Sequence, residues 1–429
     1  MGRNVMGKTM SEKILAKAAG LEQVSAGDII WVNVDKAMMD DILGPRVQIA
    51  EDMKEIRDQV WDTDKTVIIS DHYTPPASIK QAEIVKFTRD WACEHNIDNY
   101  YEFVGPCHQI MAERGHVRPG AIVLGTDSHT CTGGAFGAFA TGVGSTEMMG
   151  VLVTGKTWLR VPDTIKVVWK GELPTGVMAK DVSLHTINTI GHAGATYKAI
   201  EYCGDTIEGL SIDERMCISN MAVEMGAKVG LIAPDAKTQQ FLQAHHVDWT
   251  VADAIVSDQD ATYCSEYLFL AKDLEPQVAC PHAVDNVHNV SAVGNIPIHQ
   301  AYLGSCTGGR YHDLEMAAMI LRGKKIAKGT RLLVSPASDE IWRRADRDGI
   351  LSVLAEAGAD ILGPTCGVCV GLHSGMLAGG ENCISSSNRN FIGRMGSKEA
   401  GIYLASPMTV AASAVTGYVT DPRECLKEV

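Results

Sequence analysis

The sequence predicts an α/β protein built from layers of mostly parallel sheet. Short β-rich apolar runs recur at DIIWVNV (28–34), KTVIIS (65–70), AIVLGT (121–126), AKVGLIAP (227–234) and TRLLVSPAS (330–338). Amphipathic helix-like segments, among them 78–96 and 339–358, lie between several of these runs. That alternation marks parallel α/β layers. Polar residues gather where the runs stop: His72 closes ISDH and His129 closes VLGTDSH. Carboxyl ends of parallel strands are where open α/β sheets place their sites.

A chain of 429 residues exceeds one ordinary core, so several α/β units are expected. Breaks near VPDT (161–164) and PHAVDNVHN (281–289) divide it into 1–160, 161–284 and 285–429. The stretch 133–155 carries one charge, Glu147, and many small residues. Without aromatic or basic flanks it reads as a helix buried in a large core and not as a membrane span. A net charge of −14 argues against a nucleic-acid partner, which would want a basic face. No secretory leader pattern opens the chain, so a cytoplasmic location is expected. The twelve cysteines then read as free thiols or metal ligands and not as a disulfide framework.

The stretch ILGPTCGVCVGL (361–372) holds Cys366 and Cys369 among glycines and a proline, and GSCTGG (304–309) places Cys306 in a similar setting. A CxxC alone fits a redox pair, half a zinc site or two ligands of an iron–sulfur cluster. Zinc wants four tetrahedral ligands, and beyond His373 no second ligand pair of that kind is evident. Electron-transfer clusters normally take four cysteines. Three would leave one iron open as a Lewis acid.

Histidine–carboxylate elements accompany the thiols. SDHYTPP (70–76) contains Asp71 and His72; residues 105–134 contain His108, Asp127, Ser128 and His129; ATYKAIEYCG (195–204) contains Glu201. A carboxylate beside an imidazole fixes its tautomer and raises its basicity, as acid–base work requires. Singly, each reads as well as a cap, a turn or a solvated charge. NRNFIGRMG (388–396) adds Arg389 and Arg394 in a segment poor in other charge. Guanidinium forks bind carboxylates bidentately.

GTDSHTCTGGAFG, GSCTGG, GPTCGVC and NRNFIGRMG, in this order, resemble the aconitase family of iron–sulfur hydro-lyases. The resemblance covers nearly the whole chain and is closest to the separate large subunits of its isopropylmalate isomerase and homoaconitase branch. It implies three α/β/α domains around a 4Fe–4S cluster on Cys306, Cys366 and Cys369, with one iron lacking a protein ligand. The swivelling fourth domain would be a separate small subunit carrying the base serine and further arginines. The implied pairs are Asp71 with His72, Asp127 with His108, and Glu201 with His129. Ser128, Asn388, Arg389 and Arg394 would face a hydroxy di- or tricarboxylic acid, and His72 would protonate its leaving hydroxyl. The implied reaction is dehydration and rehydration of a substituted malate of the 3-isopropylmalate type. One departure bears on substrate: VNVDKAMMDDILGP (32–45) has Met39 and Asp40 where related loops read Thr and His, and adds Lys36. A homocitrate-type or 2,3-dimethylmalate-type substrate is the alternative. RNA binding by the cluster-free protein is a third reading, and the charge counts against it.

Overall fold

The structure is a computed structural model that describes residues 7–46 and 48–426. Three sheets carry the fold. The first is all parallel, in the order Tyr100–Glu102, Thr66–Ser70, Lys36–Asp40, Ile122–Gly125, Phe139–Gly142. The second, also parallel, runs Val229–Ile232, Ala199–Cys203, Thr164–Lys170, Ser265–Leu270. The third has seven strands: Val287–Asn289, Gln277–Ala279, Gly401–Ala405, Asn382–Ser385, Gln300–Gly304, Arg331–Ser335 and Asp360–Ile361. Its first two strands are antiparallel additions to a parallel set. The break expected at 284/285 lies between Gln277–Ala279 and Val287–Asn289, two strands that pair in this sheet.

The run at 28–34 is not a buried strand. Ile29–Asn33 pairs antiparallel with Lys156–Arg160 in a separate ribbon. Its alternate residues Ile29 and Trp31 stand exposed, as a one-face-covered antiparallel strand requires. The stretch 133–155 is also not one helix. It divides into the end of a 3-10 helix (Ser128–Phe136), the strand Phe139–Gly142 and the helix Ser145–Thr154. Gly137, at φ 71°, makes the first break, a left-handed conformation that side chains resist. Among the described residues no helix is long and apolar enough to cross a membrane.

Helices obey their local signals. Ser78 Oγ accepts from Gln81 N at 3.3 Å and starts Ile79–Glu94. Ser338 caps Asp339–Arg347 in the same way, satisfying an otherwise orphaned donor. Gly349, at φ 75°, then separates that helix from Ile350–Ala357, so the segment 339–358 is two helices. The sheets share cores. One buried cluster joins Val167 and Tyr202 of the second sheet to Tyr302, Cys383 and Leu404 of the third, and includes Val368 and Cys369. The cysteine loop is thereby packed into a common interior instead of hanging at a surface.

Candidate active site

The loops that leave the carboxyl ends of the parallel strands of the first and third sheets meet at one place. Ser70 hands on to Asp71 and His72, Gly125 to Asp127–His129, Gly304 to Cys306, and Ser385 to Asn388 and Arg389. The short strand Asp360–Ile361 leads to Cys366 and Cys369.

The thiols are buried. Asn388 Oδ1 lies 4.0 Å from Cys306 Sγ and 3.8 Å from Cys369 Sγ. Cys366 Sγ lies 3.5 Å from Asp71 Oδ2, and its backbone N donates to Asp71 O at 3.0 Å. Burial, with Asp71 and the thiols of Cys306 and Cys369 adding to it, pushes the Cys366 thiol well above its ordinary range. Burial and Cys369 push Cys306 up to about 12. Such thiols become anions only beside a bound cation. Asn220 Nδ2 donates to Cys306 Sγ at 3.1 Å, the kind of sulfur hydrogen bond that tunes a cluster. Among the described residues, sets of three ligand atoms lying within 4.8 Å of one another include Asp71–His72–Cys366 but not the three thiols. Buried thiols from two glycine-bearing loops, with an amide donating to one sulfur, suit the ligand set of an iron–sulfur cluster. Gly367 allows the loop to close: a Cβ there would stand 2.2 Å from His373 Cε1. His373 Nε2 in turn meets His72 O at 3.0 Å.

His72 Nδ1 lies 2.7 Å from Asp71 Oδ1 and 3.4 Å from Asp41 Oδ1. Burial alone would lower its pKa, but Asp71, Asp41 and Asp40 together hold it well above the ordinary histidine value. These carboxylates favour the protonated imidazole. Among the described residues, none hydrogen-bonds its Nε2. Asp41 also accepts from the backbone N of His72 and Tyr73, at 3.0 and 2.9 Å. Asp40, in the departing loop, caps its own turn through Ile42 N and Leu43 N, each at 2.7 Å. Met39 is buried in the core of the first sheet.

His108 Nε2 meets Asp127 Oδ1 at 2.8 Å. Burial would raise Asp127, yet hydrogen bonds from His108 and His129 hold it well below the usual carboxylate range. The third expected pair does not form. His129 Nε2 meets Glu224 Oε1 at 2.9 Å, while Glu201 accepts from Ser257 Oγ (2.6 Å), Met10 N (2.9 Å) and Tyr263 Oη (3.1 Å). Glu201 sits on an inner strand of the second sheet and faces the amino-terminal helix. Glu224 lies just beyond the helix Ile212–Met221, which packs on the 3-10 helix that begins at Ser128. Against the pull of burial, His129 and Arg389 keep Glu224 below the usual carboxylate range.

Arg389 Nε donates to both Glu224 oxygens, at 2.8 and 3.1 Å, and its Nη2 donates to Ser128 Oγ at 3.1 Å. Arg394 Nε donates to Cys369 O at 2.9 Å, so it also braces the cysteine loop. Asn388 Nδ2 donates to Asn220 Oδ1. Sequence reasoning missed Asn220, Glu224 and Asp41. The available signal was CISNMAVEMGA (217–227), an apolar run holding one amide and one charge. Beside Ser128 opens a cavity of about 470 Å³, whose walls include Val143, Glu147, Tyr197, Val223 and Lys228.

A layered α/β fold that sets three buried thiols against imidazole–carboxylate pairs and an arginine is that of an iron–sulfur hydro-lyase. The family model described as Aconitase family (aconitate hydratase) matches residues 12–296 and 288–417, and the chain belongs to the aconitase family. It is 51% identical over 423 residues to the 3-isopropylmalate dehydratase large subunit 1 of Methanopyrus kandleri, covering 98% of this chain and 100% of that one. It is 47% identical over 420 residues to the probable 3-isopropylmalate dehydratase large subunit of Methanothermobacter thermautotrophicus, covering 97% and 99%. The same organism's probable methanogen homoaconitase large subunit is 46% identical over 426 residues, covering 97% of each.

Proposed function

We propose that this chain is the cluster-bearing large subunit of a cytoplasmic hydro-lyase that dehydrates and rehydrates a substituted malate, with 3-isopropylmalate as the foremost substrate. One observation carries the reading: thiols from two loops of one sheet edge converge on Asn388, beside a histidine held by the carboxylates of Asp71 and Asp41. Cys306, Cys366 and Cys369 would hold a 4Fe–4S cluster. When bound, such a cluster supplies a Lewis-acidic iron for the substrate hydroxyl.

The chain's own residues do the rest. His72 donates a proton from Nε2 to the departing hydroxyl, and the carboxylates of Asp71 and Asp41 hold the ring and its charge in place. Arg389, aimed by Glu224, binds a substrate carboxylate together with Ser128, and Arg394 supports the same loop. Charge building on that carboxylate as the adjacent carbon loses its proton meets a preorganised guanidinium. His108 and His129 are joined through Asp127, and His129 shares Glu224 with Arg389. The base for that proton belongs to a separate small subunit, as the large-subunit names of the relatives support.

A homoaconitase-type tricarboxylate is the second reading. It draws on Lys228, in the wall of the cavity beside Ser128 with its Nζ 5.0 Å from the Tyr197 ring centroid. An anaerobic assay of the reconstituted chain, with and without the small subunit, against 3-isopropylmalate, 2,3-dimethylmalate and homocitrate tests both readings. Turnover of 3-isopropylmalate only with the partner present is expected. Full activity of the chain alone, or turnover of none of these acids, would refute the proposal.

A further inference from the structure

Lys180 is a lysine buried deep in the interior. Its side chain is 1% exposed, and among the described residues it forms no ion pair. It lies in the first turn of the helix Ala179–Ile190, the end at which a helix dipole disfavours cations. An uncompensated buried ammonium is expensive, and burial accordingly lowers its pKa.

Its surroundings say what it is for. Nζ donates to Ser387 O at 2.6 Å and to Ser386 O at 3.2 Å, and lies 3.4 Å from Thr307 Oγ1. Thr307 follows Cys306, and Ser386–Ser387 precede Asn388 and Arg389. Thr307 Oγ1 closes the triangle by donating to Ser386 O at 2.9 Å. The ammonium therefore ties the turn bearing one thiol to the segment that touches two thiols and carries the arginine. The groups whose charges would favour the ammonium are Cys217, Cys306, Cys369 and Glu224. The side chains that hydrogen-bond Cys306 Sγ are neutral amides, Asn220 and Asn388.

We propose that Lys180 is a positioning residue and the buried countercharge for the iron–sulfur group, balancing thiolate charge from behind while holding the Cys306 turn against the Asn388–Arg389 segment. This rests on the cluster assignment above. A fixed cation favours the more negative state of a nearby cluster, because partners outside the ligand set tune its potential. It also slows loss of the thiolate ligands. A purely structural lysine would satisfy two carbonyls, and a neutral donor would serve as well.

The test uses full-length wild type, Lys180→Gln, Lys180→Met and Lys180→Arg, each reconstituted with iron and sulfide. Readouts are iron per chain, survival of the visible absorption against EDTA, and midpoint potential in dithionite titrations followed by EPR. Lys180→Gln keeps a donor and loses the charge. It should shift the reduction equilibrium by about tenfold toward the oxidised state, about 59 mV more negative for one electron. Lys180→Met should lose iron fastest, and Lys180→Arg should keep the wild-type potential. A wild-type potential and EDTA survival in Lys180→Gln, or an equal shift in Lys180→Arg and Lys180→Gln, would overturn the inference while leaving the cluster assignment intact. A wild-type chain that takes up no iron would overturn the assignment itself, and this inference with it.

Discussion

Replacing Glu224 with Gln removes one negative charge from the centre of the site without changing its shape. Glu224 is 1% exposed and receives His129 Nε2 at 2.9 Å and Arg389 Nε at 2.8 and 3.1 Å. Glutamine keeps one acceptor oxygen but turns an amide toward a second donor, so one buried N–H loses its partner. Leaving a buried polar group unsatisfied costs about 1–3 kcal/mol, and breaking a buried ion pair from one side costs about 3–5 kcal/mol. Arg389 is 21% exposed at its side chain and recovers some hydration, so about 3 kcal/mol is expected. The sign with pH follows from the depressed pKa of Glu224. Its stabilisation is present above the unfolded value of about 4.3 and is lost as pH falls through the lower folded value. Urea unfolding of wild type and Glu224→Gln should show a wide gap at pH 7 that closes toward pH 3. A gap below about 1 kcal/mol at pH 7, or one indifferent to pH, would refute the triad of His129, Glu224 and Arg389.

Further expectations concern ligands, substrate contacts and protonation. Cys366→Ser should abolish iron retention while far-UV circular dichroism stays that of wild type, since only one loop contact changes; retained iron would remove Cys366 from the ligand set. Gly367→Ala should do the same through a clash with His373, and unchanged iron loading would mean the loop can shift freely. Arg389→Lys should raise KM by about tenfold or more, because a single ammonium cannot serve Glu224 and Ser128 together; steady-state kinetics at saturating partner decide this. The alkaline limb of kcat/KM for dehydration should lie well above the ordinary histidine pKa, reflecting the raised value of His72, and should move to lower pH in Asp41→Asn. An unmoved limb would assign the acid to another group.

The parts of the site legible in the sequence were those built from short contiguous stretches. Asp71 and His72 are neighbours, and their side chains meet at 2.7 Å. The cysteines were legible because glycines around them, such as Gly367, leave no room for a Cβ. The partner of His129 was not legible, because 95 residues separate it from Glu224. Glu201 and Glu224 are both lone carboxylates in apolar surroundings, and which one faces the site depends on strand orientation and on how the helix Ile212–Met221 packs. The countercharge role of Lys180 was invisible for the same reason: its oxygen partners Thr307, Ser386 and Ser387 lie 127 to 207 residues away. For the fold, the apolar runs located strands well but not their pairing. The run 28–34 looks like its neighbours, and only its antiparallel partner Lys156–Arg160 explains why alternate side chains face water. The segment 133–155 misled because small residues suit a tight turn and a short strand as well as a helix.

The central claim is that three thiols hold a cluster with one iron left open for a hydroxy acid. The most direct measurement is Mössbauer spectroscopy of the iron-57-reconstituted chain with its small subunit, before and after adding 3-isopropylmalate. The account predicts about four irons per chain, one of them spectrally distinct and perturbed by the substrate while the other three are not. Indifference of every iron to the substrate, or zinc in place of iron, would contradict it.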